Sequence, residues 1–595
     1  MIFSEKYLLL LFDFHDEGDR PRRLCFANPK QIFVADSVSR VRSVLGAAER
    51  AAQEGFYVAG FVSYEAAPAL DPALAVRDGT RLPLAWFAVF GEVSNISSEN
   101  ALPPTKTEQQ FPTPEWQSSI SQAAYCNNVA AIFEAIVRGE TYQVNYSMRL
   151  RTKFGGDPVT FYEHLRSAQR GRYCAYLDIG RHQILSVSPE LFFRRSGSRI
   201  VTRPMKGTEQ RGRYTAEDDV LQARLRTSEK EQAENVMIVD LIRNDLGRIA
   251  ETGTVEVSRL FKIEKYPTVL QMTSTVEADL KKGTTLEEIF AALFPCGSVT
   301  GAPKVSTMKL IAQLEDSPRE IYCGTIGLLK PGGDCVFNVA IRTLVIDSLT
   351  GTAVYGIGGG ITWGSTPLSE YEEALAKAKI LTEQWPVFKL LETMKLESGS
   401  YTLLGRHLQR LTDSARYFEI PFSLTAVKHA LQEYANNYST EPRRVRLLVS
   451  QAGGVEIQSK PLYELPDGSL PVKLADKPNC SSDRMLYHKT THREIYEAHR
   501  VGRSDTFDTL LWNERGELTE FTRGNLVVEQ DGRLWTPPVN CGLLPGTLRA
   551  ELLESGEIVE RVVLKDELLT AAAIWFINSV RGWQEVHLIK PILTL

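Results

Sequence analysis

Apolar positions recur with a helical period in a few long stretches of this chain and alternate in short runs between them. Val38 to Gln53 reads as a helix among short strands, and Gly60-Phe61-Val62-Ser63-Tyr64-Glu65 reads as a strand end. Ser97 to Pro114 holds Pro103, Pro104 and Pro112 and has no apolar period, which predicts an exposed loop. Ser119 to Arg138 predicts a helix ended by Gly139. From there to about Gln384, strands and helices alternate without a linker-like break. Trp385-Pro386 then stops a helix and Val387 to Met394 starts a strand, because a proline disfavours helical backbone in the residue before it. This places the domain boundary between 1–384 and 385–595. No stretch repeats at a solenoid period.

Length and charge narrow the class. The 595 residues exceed what one core supports and suggest about three or four domain-sized units. A net charge of -5 argues against a nucleic-acid-binding face, which is usually basic. No apolar run approaches a membrane span. The short run from Tyr7 to Phe12 is followed by Asp13, Asp16 and Glu17, not by a cleavage site, so no signal peptide is expected. Eight scattered cysteines without a C-x-x-C pair fit reduced thiols. The expectation is a soluble cytoplasmic enzyme without nucleic-acid or membrane partners.

Candidate chemistry begins at Thr202-Arg203-Pro204-Met205-Lys206-Gly207-Thr208. Pro204 and Gly207 constrain the backbone on either side of Lys206, and a lysine amine becomes a nucleophile when burial or nearby cations depress its pKa. Ser228-Glu229-Lys230-Glu231 is a capping-box pattern at the head of an apolar helix, on which Glu231 and Glu234 share a face. Glu370 and Glu373 repeat that spacing on a later helix, with Lys377 one turn on. Two carboxylates from each of two helices could bind Mg²⁺. By spacing alone, a helix cap and solvated glutamates are the favoured reading. Phe294-Pro295-Cys296-Gly297-Ser298, Gly301-Ala302-Pro303-Lys304, Ala340-Ile341-Arg342-Thr343 and Gly356 to Gly360 lie between these helices. Glycine-rich turns present N–H groups to anions and arginine grips carboxylates, a set that suits a small dicarboxylate better than a nucleotide.

In order, GETYQVNYS, SPELFF, RPMKGT, AENVMIVDLIRNDLGR, FPCGSVTGAPK, YCGTIG, VAIRT, GIGGGIT and EYEEALAKAK resemble the chorismate-utilising enzymes, strongly from about 120 to 384. The resemblance implies an α+β fold, a large domain of stacked antiparallel sheets flanked by helices. It implies that Glu234 and Glu373 ligate Mg²⁺ with Glu231 and Glu370 in support. It also implies that Ser298, Tyr322, Arg342, Gly358, Gly360 and Lys377 contact the substrate and that Glu190 is the general acid/base. Relatives resembling anthranilate synthase carry a small residue at the position of Lys206, whereas those resembling 4-amino-4-deoxychorismate synthase component I carry lysine. Direct attack of ammonia at C2 gives the ortho amine; lysine at C2 first would direct ammonia to C4. Two positions depart from the pattern: Gln271 stands where many relatives have histidine, and Ser306 where arginine is frequent. No G-x-C-x-G nucleophile elbow is found, so ammonia is expected from a separate glutamine amidotransferase subunit or from free ammonium.

The motifs change after about 386. Leu391-Glu392-Thr393-Met394 ends a strand, and His407, Arg410 and Ser414 follow on a helix. Next come Tyr487-His488-Lys489-Thr490, Leu518-Thr519-Glu520, Pro545-Gly546-Thr547 opening a helix, and Asn578-Ser579. A lysine, a later carboxylate and a Gly-Thr helix start are what pyridoxal phosphate needs. The series resembles the fold-type-IV pyridoxal-phosphate enzymes, which implies two α/β subdomains over most of 386–595. By that resemblance Lys489 links the cofactor and Glu520 pairs with its ring nitrogen. Arg410 and Thr547 meet its phosphate, Asn578 and Ser579 lie near substrate, and Thr393 is the threonine that lyases carry in this strand. The N-terminal D-R-G-x-x-Y-G-D segment of that family is missing, so a shortened small subdomain is expected.

Together the two resemblances imply a bifunctional enzyme that converts chorismate and ammonia to 4-aminobenzoate, a folate precursor. The first half would form 4-amino-4-deoxychorismate through Lys206. The second would eliminate pyruvate, and a homodimer through the C-terminal half is expected by analogy. An anthranilate-synthase-type domain fused to a class IV aminotransferase is the alternative.

Overall fold

The computed structural model describes residues 8–15, 23–96, 115–382, 386–438, 441–499 and 506–589. The expected loop from Ser97 to Pro114 lies outside them, as do Tyr7 and Trp385. The chain divides into two compact units, Met1–Gln210 with Gln222–Trp385, and Arg211–Leu221 with Pro386–Leu595.

The first unit holds two ten-stranded antiparallel sheets. One pairs Gln143–Lys153 with Thr352–Ile361 and continues through Thr343–Asp347, His182–Ser188, Tyr173–Asp178 and Leu9–Phe14. The other runs from Met205–Gln210 through Val269–Asp279, Arg199–Arg203 and Leu191–Ser196 to Tyr57–Val62 and Ala85–Phe90. Their inner faces meet in one core: Leu10, Phe12 and Ile184 from the first sheet touch Phe61, Trp86 and Ile326 from the second. Burial of each such side chain contributes about 1.5–3 kcal/mol. Because both outer faces are covered by helices, most strands are apolar on both sides instead of alternating. Val38–Gln53 covers the second sheet through Val41, Leu45 and Ala48. Gln122–Val137 and Pro158–Gln169 cover the first.

Several elements depart from the sequence reading. The helix expected from Ser119 starts at Gln122, because the Ser121 hydroxyl accepts from the Ala124 N–H and so caps it. Gly356 to Gly360 is not a turn: it lies inside the strand Thr352–Ile361, hydrogen-bonded in register to Gln143–Lys153. Leu391 to Met394 sits early in the strand Leu390–Glu397 and does not end it.

The second unit contains a four-stranded antiparallel sheet, in which Leu390–Glu397 pairs with Arg443–Val449 and the latter with Val455–Pro461. A separate eight-stranded mixed sheet includes Leu470–Leu474, Asp508–Trp512, Asn525–Gln530 and Ala573–Asn578. Arg211–Leu221 belongs to this unit. Arg213 Nη1 donates to Tyr487 Oη at 2.6 Å, its carbonyl lies 3.1 Å from His488 Nε2, and Tyr417 Oη donates to the Gly212 carbonyl at 2.6 Å.

Candidate active sites

In the first unit, Met205–Gln210 pairs with Val269–Asp279 with a register shift between Met205 and Thr208. Lys206 therefore sits in a bulge, a device that re-aims a side chain. Gly207 supplies the positive φ, +98°, that the bulge requires. The bulge is pinned on both sides. Asn235 Nδ2 donates to the Lys206 carbonyl at 3.1 Å, and Gln271 Nε2 donates to the Gly207 carbonyl at 2.8 Å. The Lys206 amine reaches the bare strand at Gly360, where a Cβ would lie 2.8 Å from Nζ and 2.4 Å from Gln143 Nε2. Burial depresses the Lys206 pKa; Glu234 opposes the shift and Lys377 adds to it.

Glu190, between two strands, is 3 % exposed. Ser298 Oγ donates to its carboxylate at 2.6 Å. Burial pushes its pKa up to about 7, with Ser298 and Lys206 pulling the other way.

The glutamate helices differ from expectation in detail. Ser228 caps Glu229–Gly247 by accepting from the Glu231 N–H, but the reciprocal half of a capping box is missing. The Glu231 carboxylate instead lies against Gly207, 3.3 Å from where its Cβ would stand. Glu234 accepts from Thr362 Oγ1 at 3.2 Å, Glu370 lies beside Gly359, and Glu373 pairs with Lys377 Nζ at 2.8 Å. Among the described residues, no three acidic, histidine or cysteine side chains form a group that could hold a metal ion. The four glutamates thus form no closed cage. Burial, reinforced by neighbouring carboxylates, raises the pKa of Glu231 and Glu370, while lysines supply the local counter-charge. The donor set itself, all carboxylate, is the chemistry a hard divalent cation takes.

The expected substrate contacts are only partly gathered. Lys377 Nζ donates to the Gly358 carbonyl at 2.8 Å. Arg342 has a left-handed backbone, φ +51°, a costly conformation for arginine, and its guanidinium donates to the Lys377 carbonyl. Tyr322 is buried against Gly356 with Arg149 over its ring at 5.3 Å. Gly356, Gly358 and Gly360 share one face of the strand by its two-residue period, so Gly356 beside Tyr322 and Gly360 beside Lys206 are about 13 Å apart along a floor without side chains. Gln143 went unassigned in the sequence reading. Its buried Oε1 has no hydrogen-bond partner among the described residues, and its Nε2 adjoins Lys206 across Gly360. The signal was its place in the GETYQVNYS motif.

In the second unit a cavity of about 540 Å³ is lined by Thr393, Arg410, Lys489, Glu520, Thr547, Asn578 and Ser579 among others. Burial, aided by Arg410, lowers the Lys489 pKa to about 8; burial raises that of Glu520 to about 7. Glu520 is fixed by Tyr496 Oη at 2.9 Å and the Leu544 N–H at 3.1 Å. Gly546 caps Thr547–Glu554, and a Cβ there would strike Asn525 Oδ1 at 1.8 Å, so backbone approaches the cavity bare. A buried base, a buried acid, a helix N-terminus and the Thr547 and Ser579 hydroxyls fit pyridoxal phosphate.

Two expected contacts are engaged elsewhere. Arg410 is paired with Glu392 at 2.9 and 2.6 Å and donates to the Pro545 carbonyl at 3.0 Å. Asn578 shapes its own turn, accepting from the Val580 and Arg581 N–H groups at 3.0 and 2.8 Å. The sequence reading gave no role to His407, yet it is central to a buried chain. Its Nδ1 is 2.6 Å from Glu392, and its Nε2 is 2.9 Å from Ser579 Oγ and 3.3 Å from Thr547 Oγ1.

Comparison with known proteins divides the chain at the same motifs. Residues 13–383 match the chorismate binding enzyme family, and residues 389–589 match amino-transferase class IV. Anthranilate synthase component 1 of Aquifex aeolicus is 39% identical over 45% of this chain and 53% of its own length. Aminodeoxychorismate synthase component 1 of Bacillus subtilis is 38% identical over 48% of this chain and 59% of its own. The chain thus spans between half and three fifths of the length of these curated relatives. The crystal structure of anthranilate synthase component I from Streptococcus pneumoniae superposes with a TM-score of 0.52 at 25% identity, covering 64% of this chain and 91% of the other.

Proposed function

This chain belongs to the chorismate binding enzyme family, and from that premise we propose that it makes 4-aminobenzoate in two consecutive reactions. Overall identity does not separate the two kinds of relative, at 39% and 38%. The observation that carries the reading is Lys206, a buried amine aimed by a bulge at the glycine floor.

In the first reaction Lys206 Nζ bonds to C2 of the chorismate ring as the C4 hydroxyl departs. Glu190, its carboxyl pushed up to about 7 by burial and so partly protonated near neutrality, gives that hydroxyl its proton and releases water. Ammonia then bonds to C4 and expels the lysine amine from C2, which leaves 4-amino-4-deoxychorismate. The glycine floor lets the flat ring lie close to backbone, with Tyr322 at one end and Lys206 at the other. Glu231, Glu234, Glu370 and Glu373 would hold Mg²⁺, which would supply positive charge for a substrate carboxylate. A separate glutamine amidotransferase subunit, or free ammonium, provides the ammonia.

The second reaction belongs to the cavity around Lys489. Pyridoxal phosphate supplies an electron sink for the amine-bearing carbon. Glu520 would hold its ring nitrogen, and Thr547 and Ser579, braced by His407, its phosphate. Lys489, its pKa depressed to about 8, takes the proton from C4. The C3–O bond then breaks, the enol leaves as pyruvate after gaining a proton, and the ring becomes aromatic. Thr393 faces the cavity beside this step.

The test is the full chain with chorismate, Mg²⁺, pyridoxal phosphate and excess ammonium, with products resolved by chromatography. 4-Aminobenzoate plus pyruvate is expected. Anthranilate would overturn the role of Lys206, and accumulating 4-amino-4-deoxychorismate would overturn the lyase reading.

A further inference from the structure

The cavity around Lys489 carries more positive charge than the cofactor accounts for. Among the described residues, seven cationic side chains line it against two carboxylates, Glu497 and Glu520. Four of the seven have work already. Arg410 is paired with Glu392, and Lys489 is the base. Arg493 donates to the Thr522 carbonyl at 2.5 Å and stacks on Tyr496, and Arg523 pairs with Asp508 at 3.0 Å. Arg444, Arg446 and Arg581 remain.

Their placement follows from strand geometry. In the small sheet, Thr393 is the cross-strand partner of Arg446, and Lys395 that of Arg444. Alternate residues of a strand share a face. Leu391, Thr393, Arg444 and Arg446 therefore form one continuous wall of the cavity, and all four line it. Arg446 is half-buried beside Thr393 and Arg444 is exposed nearer the rim. Among the described residues neither side chain makes a hydrogen bond or ion pair; Glu456, whose field Arg446 feels, is held by Lys389 at 2.7 Å and Gln458 at 2.6 Å. Arg581 enters from a different sheet, on the turn after Ala573–Asn578, and donates one N–H to the Tyr463 carbonyl. Burial first, and then the like charges of Arg444 and Arg523, lower its pKa. Guanidinium groups collected at one cavity without acids to match are held there against their own repulsion, and an anion relieves it.

We infer that Arg444, Arg446 and Arg581 are the specificity-determining residues of this site and that they receive a substrate bearing two carboxylates. This rests on the proposed second reaction, whose substrate has a ring carboxylate and an enolpyruvyl carboxylate on opposite sides of the reacting C3–C4 edge. Two anions on one rigid ring need cations from two directions, which the Arg444–Arg446 wall and Arg581 supply. An amino acid with a single carboxylate would leave at least one arginine unmatched.

Two measurements on the full-length holoenzyme test this. With 4-amino-4-deoxychorismate as substrate, Arg446→Ala and Arg581→Ala should each raise KM roughly ten- to hundredfold, the range for a lost hydrogen bond to a charged group. Arg446→Lys should recover only part, because lysine keeps the charge but not the fork. KM values that stay within twofold in both alanine variants, with lyase activity intact, would overturn the inference and leave the proposed function standing. The second measurement needs no turnover. Benzene-1,3-dicarboxylate and benzoate are titrated into holoenzyme, followed by the cofactor absorbance. The dicarboxylate should bind more tightly to the natural chain and lose that advantage in Arg581→Ala. Should lyase activity be absent, this titration still decides the inference: equal affinity for the two probes overturns it.

Discussion

Gln271 Nε2 donates to the Gly207 carbonyl at 2.8 Å while its Oε1 accepts from Thr208 Oγ1 at 3.0 Å. One side chain thus grips both residues that follow Lys206 and holds the bulge that turns the amine inward. Gln271→Ala should lower kcat of the chorismate reaction by about ten- to hundredfold, since small displacements of a reacting group cost that much. KM for chorismate and the lyase rate should stay as they were. Steady-state kinetics of each reaction separately make the check, and an unchanged synthase kcat would show that the bulge holds itself.

Gly360 sets how close the amine comes to the floor. A Cβ there would lie 2.8 Å from Lys206 Nζ and 2.4 Å from Gln143 Nε2. Gly360→Ala should reduce chorismate turnover about a hundredfold or more with the melting temperature little changed, because the tight contacts are with side-chain ends that can swing away. Thermal denaturation alongside activity separates displacement from unfolding.

Burial penalises the charge of Glu190 and pushes its carboxyl up to about 7, and Ser298 partly offsets this by donating to the carboxylate. Removing that donor in Ser298→Ala disfavours the ionised form further, so the inflection must move to higher pH. The profile of kcat/KM for chorismate, taken at fixed free-ammonia concentration, reads it. A shift downward, or none, contradicts the pairing.

Burial pushes the Glu392 carboxyl up, but Arg410 and His407 outweigh it and hold the group at about 2, against 4.5 in an unfolded chain. A depressed folded value adds stability that is complete above 4.5 and disappears as pH falls towards 2. His407, lowered by burial, works in the same direction, since an unfolded chain takes up its proton first. Acid titration should therefore weaken the hold on pyridoxal phosphate from about pH 6.5, where the His407 contribution starts to fall, and release the cofactor through the Glu392 window below 4.5. In Glu392→Gln the release should begin at higher pH and depend less steeply on it below 4.5, as followed by cofactor absorbance.

Local residue order carried most of the chemistry. Lys206 between Pro204 and Gly207, Glu231 three before Glu234, and Gly546-Thr547 at a helix start are short-range patterns, and short-range sterics and hydrogen bonding act the same in any fold. The helices Val38–Gln53 and Leu404–Phe418 were legible for the same reason, their apolar period being local. Gly356 to Gly360 was read as a turn because glycine permits one. Pairing with Gln143–Lys153, some two hundred residues earlier, makes it a strand and turns its missing side chains into a floor. Likewise His407 at the centre of its buried chain and the Arg444–Arg446 wall had no local signature. Their roles depend on which strand lies opposite and which charges are left unmatched, and long-range packing alone fixes those. The allegiance of Arg211–Leu221 to the second unit is the same kind of fact: it follows from contacts with Tyr417, Tyr487 and His488, residues about two hundred or more positions away.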